Sequence, residues 1–205
     1  MSVKSWFPTF VYYTNLYGKK SRKLNESLID EAYRIKKLDV AGHAWCKKNY
    51  PGGYTSYGSI ANLHQRSGTV IDLEKDIHKH VLKFAEKLDM DLAGKSVFMT
   101  DCWVNIMPHH VIHSWHVHPL SFISGTYYVK TPKGCSSIKF EDPRMPRLMA
   151  APPKKKDAAP HNKQYVEYKA EAGNLVLFES WLPHEVESNP AKEDRISISF
   201  NYAWA

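Results

Sequence analysis

The chain is 205 residues long, 43% hydrophobic and 24% charged, the profile of a soluble globular protein with enough apolar material for one sizeable core. No apolar run approaches the roughly 20 residues of a membrane helix, the start from Met1 to Trp6 has no apolar signal core, and Cys46, Cys102 and Cys135 share no close spacing. This speaks against a membrane span, a disulfide framework or a cysteine zinc site, and a reducing, cytoplasmic location is expected. The formal charge of +7 admits nucleic acid, membrane surfaces or acidic molecules as partners, yet its densest pieces, 19–23 and 154–156, sit in loop-like stretches with no nucleic-acid-binding motif and are read as solvated loops.

In chain order, Asn25 is placed to cap a first helix carrying Leu28, Ile29, Ala32 and Ile35. Asp72 is placed to cap a second, with Leu73, Ile77, Val81, Phe84, Ala85 and Leu88 at helical spacing. Between them, 49–58 is dense in glycine and tyrosine and reads as a structured loop or short strand whose tyrosines are candidates to line a site. From Ser96 the period becomes two, and strands are predicted over 96–107, 122–130, 137–140, 166–168, 175–178 and 195–204. Short strands in series imply a sandwich or barrel-like jelly roll. The stretch 142–164 carries Pro143, Pro146, Pro152, Pro153 and Pro160, too many for a regular element, and is a candidate lid over the open end. No repeat or composition shift marks a second domain, so 1–205 is expected to be one domain, helical over 1–95 with a sheet core over 96–205.

The chemistry-bearing residues fall in the second half. In an extended strand residues two apart share a face, so His116 and His118 can present two imidazoles to one ion. His184, just after the apolar run 175–178, can add a third from a facing strand. Three ligands leave positions open, the pattern of a catalytic rather than a closed structural site. On the last strand Arg195, Ser197, Ser199 and Asn201 share one parity, and Ile196, Ile198, Phe200 and Tyr202 the other. An inward polar row headed by arginine needs a buried anion to offset its desolvation, and a carboxylate gripped by paired hydrogen bonds meets that need. His113 has the opposite parity to His116 and is expected to face away. His78, His80, His109, His110 and His161 are expected to be solvated. Trp103 and Trp181 read as packing residues, and Trp115 as a candidate wall of a substrate mouth.

These residues resemble a known family. The order His-x-(Asp or His), a Tyr-Tyr strand, a distal His and then Arg-x-Ser is similar to that of the iron(II) and 2-oxoglutarate dependent oxygenases in their prolyl-hydroxylase-like branch. The similarity is closer still to a bacterial and phage group of such oxygenases, through His116 to Pro119, Ser124 to Val129, Phe140 to Arg144, Glu179 to His184 and Arg195 to Asn201. Trp6 to Thr9 and Gly53 to Gly58 also fit, so the resemblance covers essentially the whole chain. It implies an α+β fold, a double-stranded β-helix (jelly-roll) core with N-terminal helices packed on one sheet. It implies Fe(II) held by His116, His118 and His184, and 2-oxoglutarate held by Arg195 with Ser197 and Tyr128, Asn105 reaching its other end. The reaction would be decarboxylation of 2-oxoglutarate to succinate, with O2 as co-substrate, coupled to hydroxylation of an unidentified small molecule or peptide.

One position departs from the family pattern: most such enzymes use two histidines and a carboxylate, and residue 118 is histidine. The metal then keeps one more unit of uncompensated charge, and the set also suits zinc, nickel or copper. Asp142 or Glu179 would restore a carboxylate, and Arg144, in the turn-like Asp142-Pro143-Arg144, is a candidate to reach the site. Two rival readings are a cupin-type metalloenzyme and a non-catalytic metal-binding jelly roll. A cupin carries a Glu four or five residues after its second His, where this chain has Phe122 and Ile123, and has no need of Arg195.

Overall fold

A computed structural model describes residues 2–18 and 21–205; Lys19 and Lys20 of the first basic run lie outside the described residues. The elements in order are β1 (Val11–Asn15), α1 (Ser21–Leu38), α2 (Val40–Asn49), β2 (Tyr54–Thr55), α3 (Gly68–Lys87), β3 (Val97–Met107), β4 (His113–His116), β5 (Ile123–Lys130), β6 (Ile138–Glu141), β7 (Tyr165–Tyr168), β8 (Asn174–Glu179), β9 (His184–Val186) and β10 (Arg195–Trp204). They build two antiparallel sheets, one of six strands in the order β1-β8-β5-β10-β3-β2 and one of four in the order β4-β9-β6-β7. The larger sheet is covered on both faces. The buried faces of α1 and α3 close one side, with Leu28, Ala32, Leu73, Ile77, Val81 and Phe84 against Ile196, Ile198, Phe200 and Tyr202 of β10. On the other side Tyr128, Val176 and Phe178 pack with Ile138 and Phe140 of the smaller sheet.

The six predicted strands form within a residue of their expected ends, because period-two alternation over a buried face leaves little choice of register. The first half differs more. It is not purely helical, since β1 pairs with β8 at one edge of the six-stranded sheet and β2 with β3 at the other. Both helix starts lie earlier than expected. Asn25 is inside α1 and buried, where its Oδ1 accepts a 2.8 Å hydrogen bond from the Tyr127 hydroxyl, and Ser21, Arg22 and Lys23 are helical rather than looped. Asp72 is likewise internal; α3 is capped by Ser67, whose Oγ accepts from the Val70 amide and donates to Glu31 of α1 at 2.6 Å. His80 is not solvated, for its Nδ1 meets the Tyr12 hydroxyl at 2.7 Å. No helix of the described residues is long and apolar enough to cross a membrane.

The unpredicted α2 depends on Asp39. Its buried carboxylate accepts from the Gly42 amide at 2.8 Å, from the Tyr54 hydroxyl at 2.8 Å and from the Ser59 hydroxyl, tying the helix start to the glycine- and tyrosine-rich loop. Residue 42 has to be glycine, because a Cβ there would sit 2.0 Å from the Asp39 Oδ2. Burial acts to raise the Asp39 pKa, but the three accepted hydrogen bonds outweigh it and hold the carboxyl below its usual value. Asp39→Ala removes them all and leaves a buried phenol unpaired. It should lower unfolding free energy by about 3 kcal/mol, measured by urea denaturation. Unchanged stability would show that the loop is held by other means.

Candidate metal centre

Strands β4 and β9 set the site. His116 and His184 are directly opposed in their antiparallel ladder, with ring centroids 4.2 Å apart. The third imidazole, His118, lies beyond the end of β4, its backbone amide donating to the Ser180 carbonyl at 2.9 Å. Its ring stands 5.1 Å from that of His116 and 5.2 Å from that of His184. One nitrogen from each of the three falls within 4.8 Å of the others, and among the described residues this is the group of His, Cys, Asp or Glu able to hold a metal. The three histidines named from the sequence pattern come together, but with a different geometry. His116 and His118 are not on one strand face, and His184 comes from the neighbouring strand of the same sheet rather than a facing one.

Local hydrogen bonds fix two of the rings. His116 Nδ1 donates to the Ser114 carbonyl at 2.7 Å and His184 Nδ1 to the Leu182 carbonyl at 2.9 Å. A carbonyl can only accept, so each Nδ1 carries the proton and each Nε2 keeps a lone pair for a metal. Burial keeps all three rings neutral. It lowers the pKa of His116, takes His184 well below its usual value, and with the neighbouring His116 pushes His118 to about 3.

A fourth imidazole belongs to this group. His113 was expected to face away, but a bulge between His113 and His116 adds a residue to β4 and reverses the parity. The two rings stack at 4.6 Å with 25° between their planes, and His113 packs on Tyr50 at 5.3 Å. Its pKa falls to about 3, through burial first and then the charges of His116 and Arg195.

Across a narrow cleft of about 40 Å3 stands the polar row of β10, Arg195, Ser197 and Ser199, beside Asn105 of β3. Arg195 is 4% exposed, and none of the ion pairs among the described residues includes it. Its guanidinium lies over the Tyr128 ring, 5.0 Å from the centroid, and its Nε has no hydrogen-bond partner. The hydroxyls of Tyr128 and Tyr50 and Oδ1 of Asn105 are also buried and unpartnered, although the Asn105 amide donates to Ser199 at 3.0 Å. Buried polar atoms rarely go unpaired, and two orphaned hydroxyls beside an uncompensated guanidinium whose own Nε is unpaired mark a place suited to an anion. Tyr50, in the tyrosine-rich loop expected to line a site, lines the cleft; His113 was not expected there, and the bulge that turns it inward left no signal in the sequence.

Four expectations are corrected. Asp142 does not reach the imidazoles; its carboxylate is taken by Arg144 through two hydrogen bonds of 2.8 and 2.9 Å, so Arg144 is turned back to the surface as well. Glu179 is not in the metal-competent group. No residue of 142–164 lines the cleft or the cavity beside it, so the proline-rich insertion, expected as a lid, covers neither in this structure. Trp115 does line that second cavity, and Trp103, expected only to pack, lines both.

Residues 101–201, just under half of the chain, match the family described as "Putative 2OG-Fe(II) oxygenase". Among solved structures it is similar to a Pseudomonas putida prolyl-4-hydroxylase, at 13% identity over 95% of this chain and 92% of that one, with a TM-score of 0.58. HygX from Streptomyces hygroscopicus, solved with nickel and 2-oxoglutarate bound, matches at 11% identity over 96% and 83%, TM-score 0.63. The viral collagen prolyl hydroxylase of Paramecium Bursaria Chlorella virus-1, in its 2OG complex, matches at 14% over 94% of both chains, TM-score 0.55. At these identities the likeness is one of fold. A comparison with curated proteins finds no match.

The depressed histidines fix the sign of the pH dependence. Each folded-state pKa lies below the unfolded value near 6.5, so the unfolded chain binds more protons as pH falls, and stability present above that value is lost from about pH 6.5 down towards 3. With metal stripped by a chelator, the thermal midpoint should drop by several degrees between pH 7.5 and 5, and less in His113→Gln. Equal slopes in the two proteins would contradict the burial of a neutral His113.

Proposed function

We propose that this chain is an Fe(II) and 2-oxoglutarate dependent oxygenase that hydroxylates a second substrate, on a single-domain double-stranded β-helix whose two sides are the six- and four-stranded sheets. The observation that carries this reading is the pairing, across one cleft, of three neutral imidazoles with a buried arginine lacking a counter-ion. The donor set fits the metal: two imidazole nitrogens bound to one ion at about 2.1 Å are at most about 4.2 Å apart, close to the 4.8 Å spread of the three rings. The orphaned atoms fit the dicarboxylate. Arg195 would grip its distal carboxylate with paired hydrogen bonds, Tyr128 and Ser197 adding donors, and Asn105 would stand by its other end. The cleft is narrower than a five-carbon dicarboxylate, so wall side chains would shift on binding.

Iron with 2-oxoglutarate and dioxygen supplies the oxidising chemistry, in which 2-oxoglutarate leaves as succinate and carbon dioxide and one oxygen atom enters the substrate. The protein's own part is binding, orientation and exclusion of water. Ser114 and Leu182 carbonyls hold two ligand tautomers, and the apolar rings of Trp103 and Phe178 flank His118. Neither a cupin nor a purely structural metal site has a use for Arg195.

Under anaerobic conditions, addition of Fe(II) and 2-oxoglutarate should give the weak visible charge-transfer band of the ternary complex, and admission of oxygen should yield succinate. Arg195→Ala should weaken 2-oxoglutarate binding by about 100-fold or more while retaining metal, and His184→Ala should lose tight metal binding. Absence of both band and succinate in the wild type would refute the assignment, and undiminished iron in His184→Ala would move the third ligand elsewhere.

A further inference from the structure

Beside the narrow cleft lies a larger cavity of about 420 Å3, and the two meet at the rings of His116 and His118. Of the fourteen residues lining it, five are tryptophan or tyrosine: Trp45, Tyr50, Tyr57, Trp103 and Trp115. None is Asp, Glu, Lys or Arg, in a chain where 24% of residues are charged. The rings are locked against one another edge to face, Trp45 to Tyr57 at 6.4 Å and Tyr57 to Trp103 at 5.0 Å, and Trp103 continues to His118 at 5.8 Å. Gly58 keeps this corner in place, since a Cβ there would lie 2.4 Å from the Trp45 ring. On the opposite wall Trp115 leans on Tyr165 at 5.9 Å. The result is a concave aromatic box of the size that takes a drug-like ligand, opening onto the imidazoles.

From this we infer that the cavity is the site of the substrate to be oxidised, and that this substrate is an uncharged small molecule presenting a flat ring to the aromatic walls. The first half of the inference rests on the oxygenase reading; the ligand class rests on the walls themselves. No basic side chain lines the cavity: Arg195 lines the inner cleft, and Lys139, whose Nζ lies 5.9 Å from the Trp115 ring centroid, is neutralised by Glu185 and Glu187. Aromatic boxes also take organic cations. Here a metal held by three neutral imidazoles is one unit more positive than one with a carboxylate ligand, and it stands at the end of the box, which sets a cation at a disadvantage. Ring faces and edges against a neutral planar ring remain favourable by stacking and by displaced water. Polar selection is left to a few groups, among them Thr55, Ser114 and the free carbonyl end of Asn49, whose amide is engaged by the Trp45 carbonyl at 2.9 Å.

Three probes of one shape and different charge test this: benzamide, benzoate and benzamidine, titrated by ligand-observed NMR. Each is added to the protein with Ni(II) and 2-oxoglutarate, and separately to the metal-free protein. Benzamide should bind at least about tenfold more tightly than either ion in the loaded protein, and it should still bind when metal is removed. Tyr57→Ala and Trp115→Ala, both at half-exposed positions, should each weaken it severalfold, whereas Tyr57→Phe, which keeps the ring, should not. Tightest binding by benzamidine or benzoate, or benzamide binding indifferent to both alanine variants, would overturn the inferred ligand class. Failure of the protein to take Ni(II) and 2-oxoglutarate while benzamide still binds would sink the oxygenase reading and leave the neutral aromatic box standing.

Discussion

The two-residue period of β10 is the constraint on which the rest of the site depends. The strand lies between β3 and β5, hydrogen-bonded on both sides, so it cannot slide without breaking two ladders. Its pleat sends Ile196, Ile198, Phe200 and Tyr202 against the helices and Arg195, Ser197 and Ser199 into the cleft. A slip of one residue would drive the guanidinium under α1 and α3 and present isoleucines to the imidazoles. The same strand that carries the desolvation cost of an unpaired arginine thus buries four large apolar side chains on its other face. The polar cleft is maintained by the core it faces away from.

That coupling explains which features the sequence could reveal. Strand β10, its polar row and its apolar row follow from alternation, and β8, buried on both faces, shows as a short continuous apolar run. Tyr127 and Tyr128 read as neighbours on opposite faces, and both are buried, one under the helices beside Asn25 and the other between the sheets over Arg195. What stayed hidden depends on partners distant in sequence. Strand β1 owes its existence to β8, some 160 residues on, and β4 and β9 are four and three residues long, too short to show a period. Helix α2 contains a glycine and few buried positions, and its start is set by one aspartate reaching Tyr54 and Ser59.

The candidate site divides in the same way. Residue types and order were enough to select His116, His118, His184 and Arg195, since each is chemically costly to place inside a sheet sandwich without a ligand. Geometry was not. The bulge in β4 turns His113 inward, and a bulge leaves no signature in a strand as short as His113-Ser114-Trp115-His116. Asp142 looked available as a carboxylate until Arg144, two residues on, took it; short-range pairing beats a reach across the cavity because it fixes fewer bonds.

Histidine at position 118 has a physical rationale in its neighbours. Its ring packs between Trp103 at 5.8 Å and Phe178 at 6.4 Å, walls that offer a carboxylate no donors to replace its water. A neutral imidazole accepts that setting, and burial holds it neutral with a pKa pushed to about 3. Yet this is also the least anchored of the three. His116 and His184 each donate to the carbonyl two residues back, whereas His118 is positioned through its backbone amide and its packing. The apolar wall that admits the imidazole in place of a carboxylate is continuous, through Trp103, with the aromatic box. The histidine that would leave a bound metal one unit more positive and the walls proposed to take an uncharged ring therefore belong to one arrangement of side chains.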